Sequence, residues 1–202
     1  MSGDPRGGGQ PRVPPVASSA ESPSDGTLLP PPDLLRPNLR LVFVGINPGV
    51  RSAQVGHYFA APTNRFWRAA NAAGIFDPAL GPESDREALS QGIGFTDIVK
   101  RPSARASEIR TSEFREGAHL LKARLLRVRP AAVCFNGMTA YRNFLKYAGD
   151  ADAAGFFGRQ AEPIGDATAF AVPSPSPANA RFSLEDLVRW YGVVARWLEE
   201  RA

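Results

Sequence analysis

Leu41-Val42-Phe43-Val44-Gly45-Ile46-Asn47-Pro48-Gly49 is a run of apolar, mostly β-branched or aromatic residues that stops abruptly at Gly-Ile-Asn-Pro-Gly. It reads as a buried strand ending in a rigid polar loop. In open α/β sheets, ligands bind at the carboxyl ends of strands. A neutral carboxamide held there by a flanking proline and two glycines can position a small nucleophile such as water.

Outward from this stretch, strand and helix patterns alternate. The first strand is predicted over Leu39–Val44. Thr63 is placed to cap a helix that runs through Ala73 and is ended by Gly74. A short helix follows over Glu83–Ser90, then a second strand over Ile93–Val99 that breaks into Lys100-Arg101-Pro102. Thr111 to Val128 forms a long amphipathic helix with Phe114, Leu121, Leu125 and Val128 near helical spacing. A third strand, Ala131–Phe135, leads through Asn136-Gly137 into a helix over Met138–Tyr147. The fourth strand, Thr168–Val172, ends at Pro173-Ser174-Pro175-Ser176-Pro177. Ser183-Leu184-Glu185-Asp186 resembles a capping box and opens a last helix to about Arg201. Strands separated by helices argue a parallel sheet covered on both faces. The expected fold is a three-layer α/β/α sandwich around a central four-stranded parallel sheet. That arrangement brings three polar loops to one rim: Gly45–Gly49, Thr96-Asp97 and Pro173–Ala180. No glycine-rich nucleotide fingerprint or P-loop follows any strand, which lowers the case for a dinucleotide or ATP enzyme.

The bulk numbers narrow the classes further. The chain has 202 residues, enough for one domain with a substantial core. Its single cysteine, Cys134, excludes an intrachain disulfide framework and sits in an apolar run, as a core thiol does. The histidines are His57 and His119 alone, and no zinc spacing is present, so neither metal nor cofactor is expected. Residues 1–38 hold nine of the 19 prolines and five glycines and read as a disordered tail, leaving 39–202 as the folded domain. That tail carries a charge of −1, so the basic balance of +4 belongs to the domain and favours a polyanionic partner. No apolar run reaches the ~20 residues that span a bilayer, and the N-terminus lacks a signal-peptide core. A cytoplasmic protein without membrane association is the expectation.

Gly45-Ile46-Asn47-Pro48-Gly49, Gly56-His57-Tyr58-Phe59 and Pro62-Thr63-Asn64-Arg65-Phe66-Trp67 together resemble the mismatch-specific uracil/thymine-DNA glycosylases, a branch of the uracil-DNA glycosylase superfamily. The similarity continues at Gly94-Phe95-Thr96-Asp97, Arg101-Pro102-Ser103 and Val172-Pro173-Ser174-Pro175-Ser176, and covers nearly all of residues 39–200 in order. The resemblance implies hydrolysis of the glycosidic bond of uracil in DNA, with thymine and damaged bases as candidate further substrates. It implies a base pocket at the strand ends and a monomer acting on double-stranded DNA that contains uracil or mismatches, with single-stranded DNA as a second candidate partner. Such an enzyme extrudes the base from the duplex.

Asn47 matches the family's catalytic asparagine. An amide is no general base at neutral pH, but its carbonyl oxygen can orient water; by residue type alone Asn47 equally suits a turn before proline. Asp97 is the second catalytic candidate, as a carboxylate that steers water or favours a cationic sugar. A structural aspartate is the competing reading, and the family is not uniform here. Phe59 matches the stacking aromatic, with Tyr58 as an alternative stacker or a wall. Gly45, Ile46, Pro48, Gly49 and Ser52 complete the expected pocket, and backbone donors near Ile46 and Phe59 can stabilise the departing base anion. Arg51, Arg65, Lys100, Arg101 and Arg181 are candidate phosphate contacts.

Ser174, Ser176, Pro177, Ala178 and Asn179 form the loop that the resemblance inserts into the duplex. With alanine at 178, where the family often has a bulky or charged wedge, either Asn179 or Arg181 takes that role or discrimination of the opposite base is weak; weak discrimination is the expectation. Scarce lysine argues against a Schiff-base lyase and for an enzyme that only leaves an abasic site. Two other classes remain open from the residues: a catalytically weak nucleic-acid-binding module, and a small-molecule nucleoside hydrolase using Asp97.

Overall fold

The computed structural model describes residues 28–149 and 155–201. The predicted first strand appears as β1, Leu41–Gly45, buried at every position. Alternate side chains divide between two cores, as strand geometry requires. Leu41 and Phe43 enter one cluster with Phe66, Phe95, Leu187 and Tyr191, whereas Val42 and Val44 enter another with Leu121, Leu125, Val133 and Phe144. Both sheet faces are therefore covered, which is why the run is apolar throughout rather than alternating. A fully buried phenylalanine such as Phe43 or Phe66 contributes roughly 1.5–3 kcal/mol relative to exposure.

After β1 the chain forms α1 (Val50–Val55) and α2 (Phe66–Ala72), then a 3₁₀ segment over Pro82–Leu89. β2 (Ile93–Asp97), α3 (Thr111–Val128), β3 (Ala132–Asn136) and α4 (Met138–Ala148) follow. β4 (Gly158–Arg159), β5 (Thr168–Val172) and α5 (Leu184–Glu199) complete the order. The sheet runs β2-β1-β3-β5-β4. Its first four strands are parallel and β4 pairs antiparallel with β5.

Several expectations need correction. The sheet is mixed and has five strands, not four parallel ones. Two residues, one of them Gly158, are too short to show a strand period, so β4 left no signal. The short helix over 83–90 is a 3₁₀ segment. Thr63 does not cap α2. The side chain of Asn64 accepts from the Phe66 N–H at 2.9 Å instead. α1 was not predicted, being only six residues long.

The capping box on α5 is present: Ser183 Oγ accepts from the Asp186 N–H at 3.1 Å, and the Asp186 carboxylate accepts from the Ser183 N–H at 2.9 Å. Such a cap contributes about 1 kcal/mol.

The boundary of the tail also moves. Residues 1–27 lie outside the described residues, but Leu34, assigned to the tail, is buried and pairs antiparallel with Phe95 through two main-chain hydrogen bonds of 3.0 Å. The segment covers the outer edge of β2, an edge that would otherwise present unpaired donors and acceptors. Composition averaged over 38 residues hid this, because the contacts come from a few residues near its end, among them Asp33, Leu34, Arg36 and Asn38. Among the described residues no helix is long and apolar enough to cross a membrane.

Candidate active site

The loops that leave β1 and β2 are joined by main-chain hydrogen bonds. The N–H groups of Ile98, Val99 and Ser103 donate to the carbonyls of Gly45, Ile46 and Pro48 at 3.0, 2.8 and 3.1 Å. This seam holds Asn47 between them. Its Nδ2 lies 3.1 Å from the Pro48 carbonyl, 3.1 Å from the Arg101 carbonyl and 2.9 Å from Ser103 Oγ. Carbonyls only accept, so the amide nitrogen must face them. Asn47 Oδ1 is left for the cleft that the residue lines. Ser103 Oγ in turn donates to the Arg105 carbonyl at 2.8 Å, which leaves its lone pairs to Asn47. In the sequence Ser103 stands out only as the end of Arg101-Pro102-Ser103, with no role of its own.

That cleft holds about 420 Å³ at the carboxyl ends of β1, β2, β3 and β5. Gly45, Ile46, Asn47, Pro48, Gly49, Arg51, Ser52, Tyr58, Phe59, Asp97, Ser174, Ser176 and Pro177 all line it. Asp97 is buried, and its carboxyl pKa is pushed up from 3.8 to about 7, chiefly by desolvation. Lys100 opposes that rise and Asp33 adds to it. Gly45 faces Asp97 across the β1–β2 ladder, and a Cβ on Gly45 would lie 2.2 Å from an Asp97 carboxylate oxygen. Glycine at this position is therefore the space in which the carboxyl group sits.

Phe59 adopts φ +54°, a left-handed conformation uncommon for a bulky residue and suggestive of function. Its ring stacks on Phe66 with centroids 4.0 Å apart and planes 21° apart. Three bonds secure this loop from below: Asp85, buried, accepts from the Tyr58 N–H at 2.8 Å and lies 3.0 Å from His57 Nδ1, while Trp67 Nε1 donates to the Tyr58 carbonyl at 3.0 Å. Ser52 Oγ accepts from the Ala60 N–H at 3.1 Å. Burial and nearby carboxylates drive the Tyr58 phenol far above its ordinary range, so it stays protonated.

Asn136, at the end of β3, was missed. It is buried, lines the cleft, and accepts from the Tyr191 hydroxyl at 2.8 Å through Oδ1. Burial keeps Tyr191 protonated, so its hydroxyl has the proton that this bond needs. Among the described residues Asn136 Nδ2 has no partner, a state that a buried polar group rarely keeps without reason. The sequence signal available was position alone: a polar residue closing a buried apolar strand.

The basic residues divide. Arg51 and Arg181 are exposed and form no ion pair among the described residues, although Arg181 lies 5.7 Å from the Phe182 ring centroid. Lys100, expected to meet phosphate, is bound inward by the carboxylate of Asp33 and by Thr96 Oγ1. Arg101 makes a two-pronged pair with Glu113 at 2.7 and 3.0 Å, which holds the Glu113 carboxyl at about 2. Arg65 bonds main-chain carbonyls of the loop after β5. Ala178 is exposed at the tip of that loop, whereas Asn179 turns inward, its Nδ2 donating to the Ser174 carbonyl at 3.0 Å.

A family model for the uracil DNA glycosylase superfamily matches residues 32–191. The chain belongs to that superfamily. Its fold also resembles that of a candidate uracil DNA glycosylase from Methanosarcina acetivorans, solved by NMR in solution. The two are 26% identical, the match covers 85% of this chain and 98% of the other, and the TM-score is 0.55. Superfamily membership makes the chain a DNA glycosylase by family, a hydrolase that acts on DNA. The match starting at residue 32 includes Asp33 and Leu34, in keeping with their place on the sheet edge.

Proposed function

We propose that the protein is a monofunctional glycosylase that flips uracil out of DNA into the cleft and hydrolyses its N-glycosidic bond, leaving an abasic site. The observation that carries this reading is the fixed amide of Asn47, whose nitrogen is held by three acceptors and whose oxygen is free in the same cleft as the buried Asp97. Water held between that oxygen and the Asp97 carboxylate adds to C1′ of the sugar. The base leaves with the electron pair of the C1′–N bond, and the carboxylate favours the cationic sugar and takes up the proton of the water. A carboxyl pKa of about 7 suits proton transfer at neutral pH.

Phe59, backed by Phe66, offers a π-face to a flipped base. Asn136 Nδ2 suits a base carbonyl, which uracil supplies. Cytosine presents an amino group at the corresponding edge and would set donor against donor. Among the described residues the lysine on this rim, Lys100, is bound to Asp33 and Thr96, which argues against a Schiff-base route. Ala178 supports weak preference for the opposite base, because it fills little of the vacated stack and has no polar side chain.

The test is base release from oligonucleotides carrying uracil opposite guanine, uracil opposite adenine, thymine opposite guanine, and unpaired uracil. It is run on the unaltered protein, Asn47→Ala and Asp97→Ala. Uracil release that both substitutions suppress, with similar rates opposite guanine and adenine, is expected. No release from any substrate refutes the reading, and strong preference for guanine opposite refutes the role given to Ala178.

A further inference from the structure

The segment from Pro173 to Phe182 forms no helix or strand, and prolines at 173, 175 and 177 remove three of its N–H donors. Its carbonyls therefore outnumber its donors, and partly buried carbonyls need partners. Two serines satisfy part of the backbone locally: Ser174 Oγ accepts from the Ser176 N–H and Ser176 Oγ from the Ala178 N–H, each at 3.3 Å. Those bonds satisfy donors; among the carbonyls, that of Ser174 accepts from Asn179 Nδ2 and that of Ser176 from the Asn179 N–H, each at 3.0 Å, and the others call for a donor from outside the loop.

Arg65 supplies what is missing. Nε donates to the Pro175 carbonyl at 3.4 Å, and the Arg65 main-chain N–H donates to the same oxygen at 3.1 Å. Nη2 donates to the carbonyls of Ser176 at 3.0 Å and Asn179 at 2.9 Å, and Nη1 donates to that of Phe182. Four of the five guanidinium donors are thus engaged by one loop. The next residue, Phe66, is the ring on which Phe59 stacks.

We propose that Arg65 is a positioning residue rather than a phosphate contact: it gathers four carbonyls of the Pro173–Phe182 loop and so presents that loop to the duplex preformed. The arrangement sets the loop and the stacking ring of Phe59 from two adjacent residues at the start of α2. Lysine cannot replace it, because one ammonium lacks the planar fork that reaches carbonyls spread over eight residues of chain.

The inference rests on the glycosylase reading for its activity readout. Arg65→Ala and Arg65→Lys are compared with the unaltered protein by amide hydrogen exchange across residues 174–182 without DNA, by duplex binding over a range of salt, and by uracil release from duplex and single-stranded oligonucleotides. Exchange in the loop is expected to rise in both variants while β1 and β3 stay protected. Duplex kcat/KM is expected to fall about 10–100-fold, as misplacement of a positioning element does, with a smaller loss on single strands. The salt dependence of binding is expected to stay unchanged.

Unchanged loop exchange, with Arg65→Lys fully active and a log–log salt slope for Arg65→Ala reduced by about one, would overturn the proposal. Raised exchange throughout β1 and β3 would overturn it as well, by making Arg65 a general structural residue. If the unaltered protein releases no base, the glycosylase reading fails, and loop exchange with duplex binding alone decides the role of Arg65.

Discussion

The loops after β1 and β5 reach the same cleft on opposite sides of β3, yet they are held by opposite means. The first is joined to its neighbour through main-chain bonds from Ile98, Val99 and Ser103, and its Asn47 side chain reaches the same neighbour. The last has prolines at alternate positions and depends on a guanidinium more than a hundred residues away in sequence. A seam of backbone bonds holds a reacting group in register with both strand ends. A loop held chiefly by side chains, those of Arg65, Asn179 and its own serines, can vary its exposed residues without disturbing the sheet. On the proposed function, chemistry belongs to the first loop and recognition of the duplex to the last.

Changes in the first loop should therefore act on kcat, and changes in the last on duplex binding. The largest effect is expected for Asn47→Ala, which removes the water-orienting oxygen: kcat falls about 100–1000-fold with duplex binding little altered, as for loss of a preorganised transition-state partner. Single-turnover kinetics and a binding titration check it, and an equal loss in binding would erase the division between the loops.

Asp97→Asn comes next, with kcat lower by about 10–100-fold at pH 8. In the unaltered protein the rate should rise with pH through about 7 as the carboxyl group ionises, and this limb should vanish in the variant. Stability carries the opposite sign. The folded pKa lies above the ordinary 3.8, so the folded state holds a proton that the unfolded chain releases. Stability contributed by this group falls as pH rises from about 4 to about 7 and levels off above that. Asp97→Asn should therefore raise the melting temperature, by more at pH 8 than at pH 5; thermal melts at the two values decide it.

Ser103→Ala removes one of three acceptors from the Asn47 amide. A loss of about 1 kcal/mol, or roughly fivefold in kcat, is expected, consistent with one hydrogen bond. The smallest effect is expected in the last loop. Arg181→Ala should leave kcat intact and weaken duplex binding about two- to fivefold at low salt, with a salt slope reduced by about one if it meets a phosphate. A fall in kcat for Arg181→Ala would break the comparison from the other side.

How far the sequence led can be seen residue by residue. Asn47, Asp97, Phe59 and the Pro-Ser loop all stand at strand ends, and strand ends are local features that apolar runs and turn residues mark. Asn136 was equally local but went unused, because a polar residue at a strand end has no distinctive neighbour in the chain. The partners of the basic residues were not legible for a different reason. Lys100 and Arg65 look alike in sequence to Arg51 and Arg181, but the first two meet Asp33 and the loop after β5, partners 67 and more than a hundred residues distant.

The sequence by itself determined the four long strands, the longer helices among them and the rim at which polar loops gather, since burial periodicity and turn chemistry act over a few residues. Only the tertiary structure decided the partner of each charged or amide group. It bound the Asn47 amide nitrogen to the neighbouring loop, buried Asp97 so that its pKa rose, left Asn136 Nδ2 without a partner among the described residues, and drew Arg65 and Lys100 inward. Hydrogen-bond partners and desolvation depend on which distant segments share a few ångströms of space, and that is fixed only when the whole chain has packed.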